Sequence, residues 1–183
     1  MELKILKGRQ LIDSGLAEEV IEFDRENMRP VFEKAGIEFP EERRRRGLLS
    51  DPTFIMAFDG PAIAGYLEYL RSWNAPAYIY VGSVQIERRR RNSSLLLALF
   101  DEFRRLVARE EFEGFETNVQ KANAHAVRLY RKLGFTLEPN PRNEASWTAR
   151  AGRELLTDSP VIPLLDRWRE KRASRLGRQR RPE

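Results

Sequence analysis

The spacing of apolar residues divides the chain into segments of helical and of strand period. Residues 3–8 (LKILKG) predict an opening strand. A helix follows, with Asp13 or Ser14 as its cap and Val20, Ile21, Phe23, Met28, Val31 and Phe32 as its apolar face, broken by Pro30 or ended by Gly36. A short second helix is expected from Pro40 to Leu49. The period then shortens. Residues 53–59 and 62–71, joined at Asp59-Gly60, predict a hairpin, and residues 77–86 a third strand. Residues 95–110 return to helical spacing through Leu96, Leu99, Phe100, Phe103, Leu106 and Val107. Strand 115–120, helix 122–133 stopped by Gly134, and strands 135–139 and 144–150 complete the series. Antiparallel strands followed by strand-helix-strand-helix-strand predict a mixed sheet covered by helices.

Charge alters the picture at one end only. The net charge is +5, but residues 166–183 hold eight basic and three acidic side chains and so carry the entire excess. We therefore expect one domain over residues 1–165 and a basic, flexible tail over 166–183. Two arginine runs, 43–46 and 88–91, stand out inside the balanced body. The chain has no cysteine and a single histidine, His125, which excludes disulfides, thiolate metal sites and a cysteine nucleophile. No apolar stretch approaches the ~18 residues of a membrane span, so a cytoplasmic protein without membrane contact is expected.

Two segments carry the candidate chemistry. In residues 83–103 a strand ending at Ile86 meets four arginines, then Asn92, Ser93 and Ser94, then an apolar helix from Leu95. Backbone N–H groups at a helix start have no intrahelical partner, and arginine forks match phosphate, so this turn suits a phosphate; its plainer reading is a capped surface helix with solvated arginines. In residues 118–135, Asn123, Ala126, Leu129, Tyr130, Gly134 and Phe135 form the pattern N-x-x-A-x-x-L-Y-x-x-x-G-F.

Together these segments resemble the motifs of the GCN5-related N-acetyltransferase (GNAT) superfamily. The resemblance implies an α/β (α+β) fold, with a mixed, mostly antiparallel central sheet of six or seven strands flanked by helices. Arg89, Asn92 and Ser94 align with the family's R-x-x-G-x-G/A loop, both of whose glycines are replaced here. By the resemblance, acetyl-CoA is the co-substrate and no metal is needed. The pantetheine arm runs along Val84, Gln85 and Ile86. The diphosphate meets Arg89, Arg90, Arg91, Asn92, Ser93, Ser94 and Leu95, and Asn123 and Tyr130 complete the cofactor contacts. Tyr130 is the general acid for the leaving thiolate, and the acceptor is a small-molecule or protein amine.

The general base is open among Glu68, Glu87, Tyr80 and a water chain, with Glu68 favoured; surface carboxylates are common, and a structural role is the default for each. His125 is expected at the surface and run 43–46 on a solvated face, although an acidic acceptor would also suit that run. Alternate aromatics among Tyr66, Tyr69, Trp73, Tyr78 and Tyr80 are expected to line the acceptor cleft or to be core. Two rival readings remain: a nucleic-acid or ribosome-associated protein acting through residues 167–183, and an acyl-CoA-binding domain without turnover. Either a monomer or a homodimer is compatible with the chain.

Overall fold

The computed structural model describes residues 1–91 and 94–179, without the side chains of 172, 173 and 175–179. Among the described residues the strands are β1 (Glu2–Lys7), β2 (Thr53–Asp59), β3 (Ala62–Arg71), β4 (Tyr78–Ile86), β5 (Gly114–Gln120), β6 (Thr136–Pro139) and β7 (Ser146–Gly152). They form a seven-stranded sheet in the order β1-β2-β3-β4-β5-β7-β6. Its pairs are antiparallel except β4 with β5, which run parallel. The parallel pair needs a crossover, supplied by α4 (Leu95–Val107). Helices α1 (Gly8–Asp13), α2 (Leu16–Ala35) and α3 (Glu41–Leu49) connect β1 to β2, and α5 (Ala124–Lys132) connects β5 to β6. Helices α6 (Leu155–Asp158) and α7 (Ile162–Gln179) close the described chain.

Alternation along the strands serves two cores. One, containing Ile55, Leu67, Tyr69, Ile79 and Phe115, packs with Leu95, Leu99 and Phe103 of α4. The other, containing Phe54, Met56, Ile63 and Tyr66, packs with Leu11, Val20, Ile21 and Leu48 of α1–α3. Gly65 on β3 permits a close approach between the first core and the end of β4. A Cβ there would lie 2.7 Å from the Gln85 carbonyl oxygen and 3.2 Å from Leu95 Cδ2.

Several expectations change. The predicted caps Asp13 and Ser14 end α1, a short helix the sequence did not predict, and the N-cap of α2 is Gly15 at φ +79°. The Ser14 hydroxyl donates to the Gln10 carbonyl 2.7 Å away and so serves the preceding helix. Pro30 lies inside α2, which continues to Gly36 at φ +66°; the buried row through Val20, Asp24, Asn27 and Phe32 holds the helix across the missing N–H. The boundary expected between 165 and 166 falls inside α7, because Leu165 is fully buried and Arg169 pairs with Asp101 of α4.

Candidate active site

Strands β4 and β5 pair only at Tyr78 with Gly114, Ile79 with Phe115 and Tyr80 with Glu116. Beyond those positions they diverge, each held by its other neighbour: β4 by β3 up to Ile86, and β5 by β7 up to Gln120. The result is a wedge in the middle of the sheet, between residues 81–86 and 117–120. The register of β4 on β3 slips between Glu68 and Tyr69, leaving Gly82 as the extra residue of a bulge. Val84 and Ile86 turn their side chains to the α4 core, while Gln85 Nε2 donates to Ser83 Oγ at 3.2 Å. Their backbone therefore borders the wedge without a partner strand, as an extended ligand arm requires.

The basic turn lies at the open end of β4, where a single 3-10 turn (Arg88–Arg90) leads to Ser94, the N-cap of α4, and to the buried Leu95. Asn92 and Ser93 lie outside the described residues. Arg89 pairs with Glu87 at 2.5 Å, and Arg90 with Glu87 at 2.9 Å and with Asp59. Arg91 reaches the Ile86 carbonyl and Asn27 Oδ1, both at 3.5 Å. These arginines are thus positioned by internal partners, and Arg89 and Arg91 keep exposed faces. Glu87 is a poor base, since its bonds to Arg89 and Arg90 hold its carboxyl below the usual range.

Across the wedge, Asn123 caps α5 by accepting the Ala126 N–H at 3.1 Å, leaving Nδ2 for other contacts. Tyr130 packs edge-on against Phe135 with ring centroids 5.1 Å apart. Burial pushes its hydroxyl pKa up, against a hydrogen bond with Thr117 of β5, so it stays protonated at neutral pH. His125 is exposed near the start of α5.

On the opposite face of the sheet, Glu68 lies 5% exposed beneath the Gly82 bulge; a Cβ on Gly82 would lie 3.2 Å from Glu68 Oε1. Its other oxygen accepts from Arg44 Nη1 at 2.7 Å. Arg44 also donates through Nε to Asp24 at 2.6 Å and through Nη2 to the Tyr66 hydroxyl at 3.1 Å, and Tyr66 donates in turn to Asp24. Two buried carboxylates therefore share one guanidinium. Burial raises the pKa of both, and Arg44 opposes the rise.

Run 43–46 is consequently not one solvated face: Arg44 turns inward to this cluster, largely shielded from solvent, and Arg45 binds Glu18 and Glu41. Sequence reasoning missed Asp24 and Asn27. Their signal was available, because both stand at helical spacing from Val20 on the buried row. Of the strand aromatics, Tyr66 and Tyr69 are core, Tyr78 and Tyr80 half-buried, and Trp73 exposed on the β3–β4 loop.

A split parallel pair in a mostly antiparallel sheet, with a helix start at its open end, defines an acyl-CoA N-acyltransferase fold. The sequence profile described as the acetyltransferase (GNAT) family matches residues 17–135, and the chain belongs to that family. Among solved structures, it is similar to PaiA N-acetyltransferase from Thermoplasma acidophilum in complex with coenzyme A, at 16% identity and TM-score 0.60, over 83% of this chain and 99% of that one. An acetyltransferase of the GNAT family from Staphylococcus aureus Mu50 matches at 17% identity and TM-score 0.61, over 82% and 99%. An acetyltransferase from Thermus thermophilus matches at 14% identity and TM-score 0.59, over 83% and 97%. No curated protein matches by sequence. Among the described residues, no helix is long and apolar enough to cross a membrane.

Proposed function

We propose that this protein transfers an acetyl group from acetyl-CoA to a primary amine by direct attack in a ternary complex. The observation that carries the reading is the wedge between β4 and β5, which opens a bare strand edge beside a half-buried, protonated Tyr130. The coenzyme A bound to the Thermoplasma acidophilum relative supports the same ligand here. In this reading Val84, Gln85 and Ile86 hold the pantetheine arm. Arg89, Arg90, Arg91, Ser94 and Leu95 hold the diphosphate at the α4 N-terminus, Asn123 contributes Nδ2, and Asn92 and Ser93, outside the described residues, keep the assignment that the resemblance implies. Arg90, which bridges Glu87 and Asp59, exchanges part of that pairing for phosphate.

Acetyl-CoA supplies an activated acyl thioester, and the protein groups supply position and protons. Glu68 takes the proton of the incoming ammonium at Oε1, the oxygen turned toward Gly82. Burial suits it to that task by raising its proton affinity. A backbone N–H near the Gly82 bulge donates to the acyl oxygen as the C–N bond forms. Tyr130 gives its proton to the sulfur as the C–S bond breaks; the second proton, shed by the nitrogen as it becomes an amide, passes through solvent to the Tyr130 phenolate, and Glu68 releases its own proton to solvent with the product.

Incubating the protein with acetyl-CoA and a panel of primary amines, with free thiol as the readout, tests the reading. Amine-dependent release of coenzyme A is expected. Binding without release from any amine would favour the rival reading of an acyl-CoA-binding domain without turnover.

A further inference from the structure

Tyr80 stands at the vertex of the wedge, in the last position of β4 that pairs with β5, opposite Glu116. Its neighbours Ile79 and Val81 point to the α4 core, so the phenol projects to the face that carries Glu68. Asn118, two residues beyond the vertex on β5, reaches back across the gap and places Nδ2 3.2 Å from the Tyr80 hydroxyl.

The direction of that bond is fixed three links away. The Arg142 backbone N–H, which can only donate, lies 2.9 Å from Asn140 Oδ1. Asn140 must therefore present Nδ2 to Asn118 Oδ1, at 2.9 Å. Thr148 Oγ1 donates to the same oxygen at 3.3 Å. Asn118 has only its Nδ2 left for Tyr80, and reversing its amide would set two NH₂ groups against each other. The phenol oxygen is thus the acceptor, and its proton points elsewhere. Burial raises the Tyr80 pKa, so that proton is present at neutral pH, and among the described residues it has no acceptor. Tyr80, one of the base candidates from the sequence, is held as a donor.

We propose that the Tyr80 hydroxyl donates to the acyl oxygen of the bound thioester as charge develops there, beside the backbone N–H of the Gly82 bulge, with Asn118 and Asn140 as positioning residues. The proposal rests on the acetyl-transfer reading. No proton changes owner in this step: the hydroxyl shortens a hydrogen bond to the oxygen and relaxes when the C–S bond has broken. A second preorganised donor at such an oxygen is typically worth about a hundredfold in turnover.

The test uses the full chain and carbonyl-labelled acetyl-CoA. Difference infrared spectroscopy of the complex reports polarisation of the thioester carbonyl without any acceptor amine. The wild-type band should fall below that of free acetyl-CoA. Tyr80→Phe should return it most of the way, whereas Tyr130→Phe should leave it lowered.

Asn118→Asp offers an acceptor in place of the donor, so Tyr80 turns its proton to the new carboxylate and the band should return likewise. Asn118 is exposed, so this variant is expected to fold. With an amine that releases coenzyme A, Tyr80→Phe should lower kcat about a hundredfold with KM for acetyl-CoA changed less than about threefold, and adding Asn118→Asp should lower it no further. A band unmoved by Tyr80→Phe, or additive losses in the double variant, overturns the proposal and leaves the acetyl-transfer reading standing. A wild-type protein that does not bind acetyl-CoA overturns both.

Discussion

Replacing Arg44 by Met should be among the most costly single changes on the α2–α3 side of the sheet, and its cost should depend on pH. Arg44 is the common partner of Asp24 and Glu68, which are 4% and 5% exposed. Removing one partner of a buried ion pair costs about 3–5 kcal/mol. Proton uptake gives a comparable figure. Neutralising one carboxylate at about pH 7.5, against an unfolded pKa near 4, costs ~1.4 kcal/mol for each pH unit, or about 4–5 kcal/mol.

The sign follows from the direction of the shifts. Burial lifts both carboxyls in the native state, so that state binds more protons than the unfolded chain and stability rises as pH falls toward the unfolded pKa. Without Arg44 to oppose it, this slope steepens. Urea unfolding followed by circular dichroism should show the variant about 3–5 kcal/mol less stable than wild type near pH 7.5, with ~2–3 kcal/mol of that difference recovered near pH 5.5. A loss below about 1 kcal/mol, or an equal loss at both pH values, would refute a buried, shared-guanidinium cluster.

Other predictions address the site itself. Tyr130→Phe should lower kcat about 10²–10⁴-fold with acetyl-CoA affinity within a few-fold of wild type, measured by steady-state kinetics and calorimetry; an unchanged kcat removes the general-acid role. Glu68→Gln should abolish the limb of the pH–rate profile on which activity grows as a carboxyl deprotonates, and a superimposable profile excludes Glu68 as the base. Gly65→Ala forces a methyl to within 2.7 Å of the Gln85 carbonyl, so it should cost about 1–3 kcal/mol and weaken acetyl-CoA binding, as thermal melts with and without ligand would show. Removing residues 170–183 should leave acetyl-CoA binding intact and cancel any salt-sensitive binding of RNA, which a filter-binding titration would read.

The order of elements and the two motif segments were legible because each is local. Period, turn residues and the spacing from Asn123 to Phe135 all lie within short windows. What escaped depends on register and on distant partners. Nothing in residues 78–86 announces that β4 leaves β5 after Tyr80, or that Gly82 is a bulge, because both follow from how three strands align. Arg44 looks like its three neighbours in sequence and differs only in the turn of α3 that aims it at Asp24, twenty residues earlier. The donor state of Tyr80 is set by an amide sixty-two residues away, through two asparagines. Composition places the start of a basic tail after residue 165, a position that α7 runs across, with Leu165 buried and Arg169 paired to Asp101; those partners are distant in sequence too.

The most direct measurement of the central claim is amide hydrogen exchange with and without saturating acetyl-CoA. The account predicts slowed exchange in peptides spanning residues 81–95 and 117–130, on both sides of the wedge, with β1 and β2 unchanged. Binding that leaves residues 81–86 unprotected, or protection confined to another surface, would contradict it.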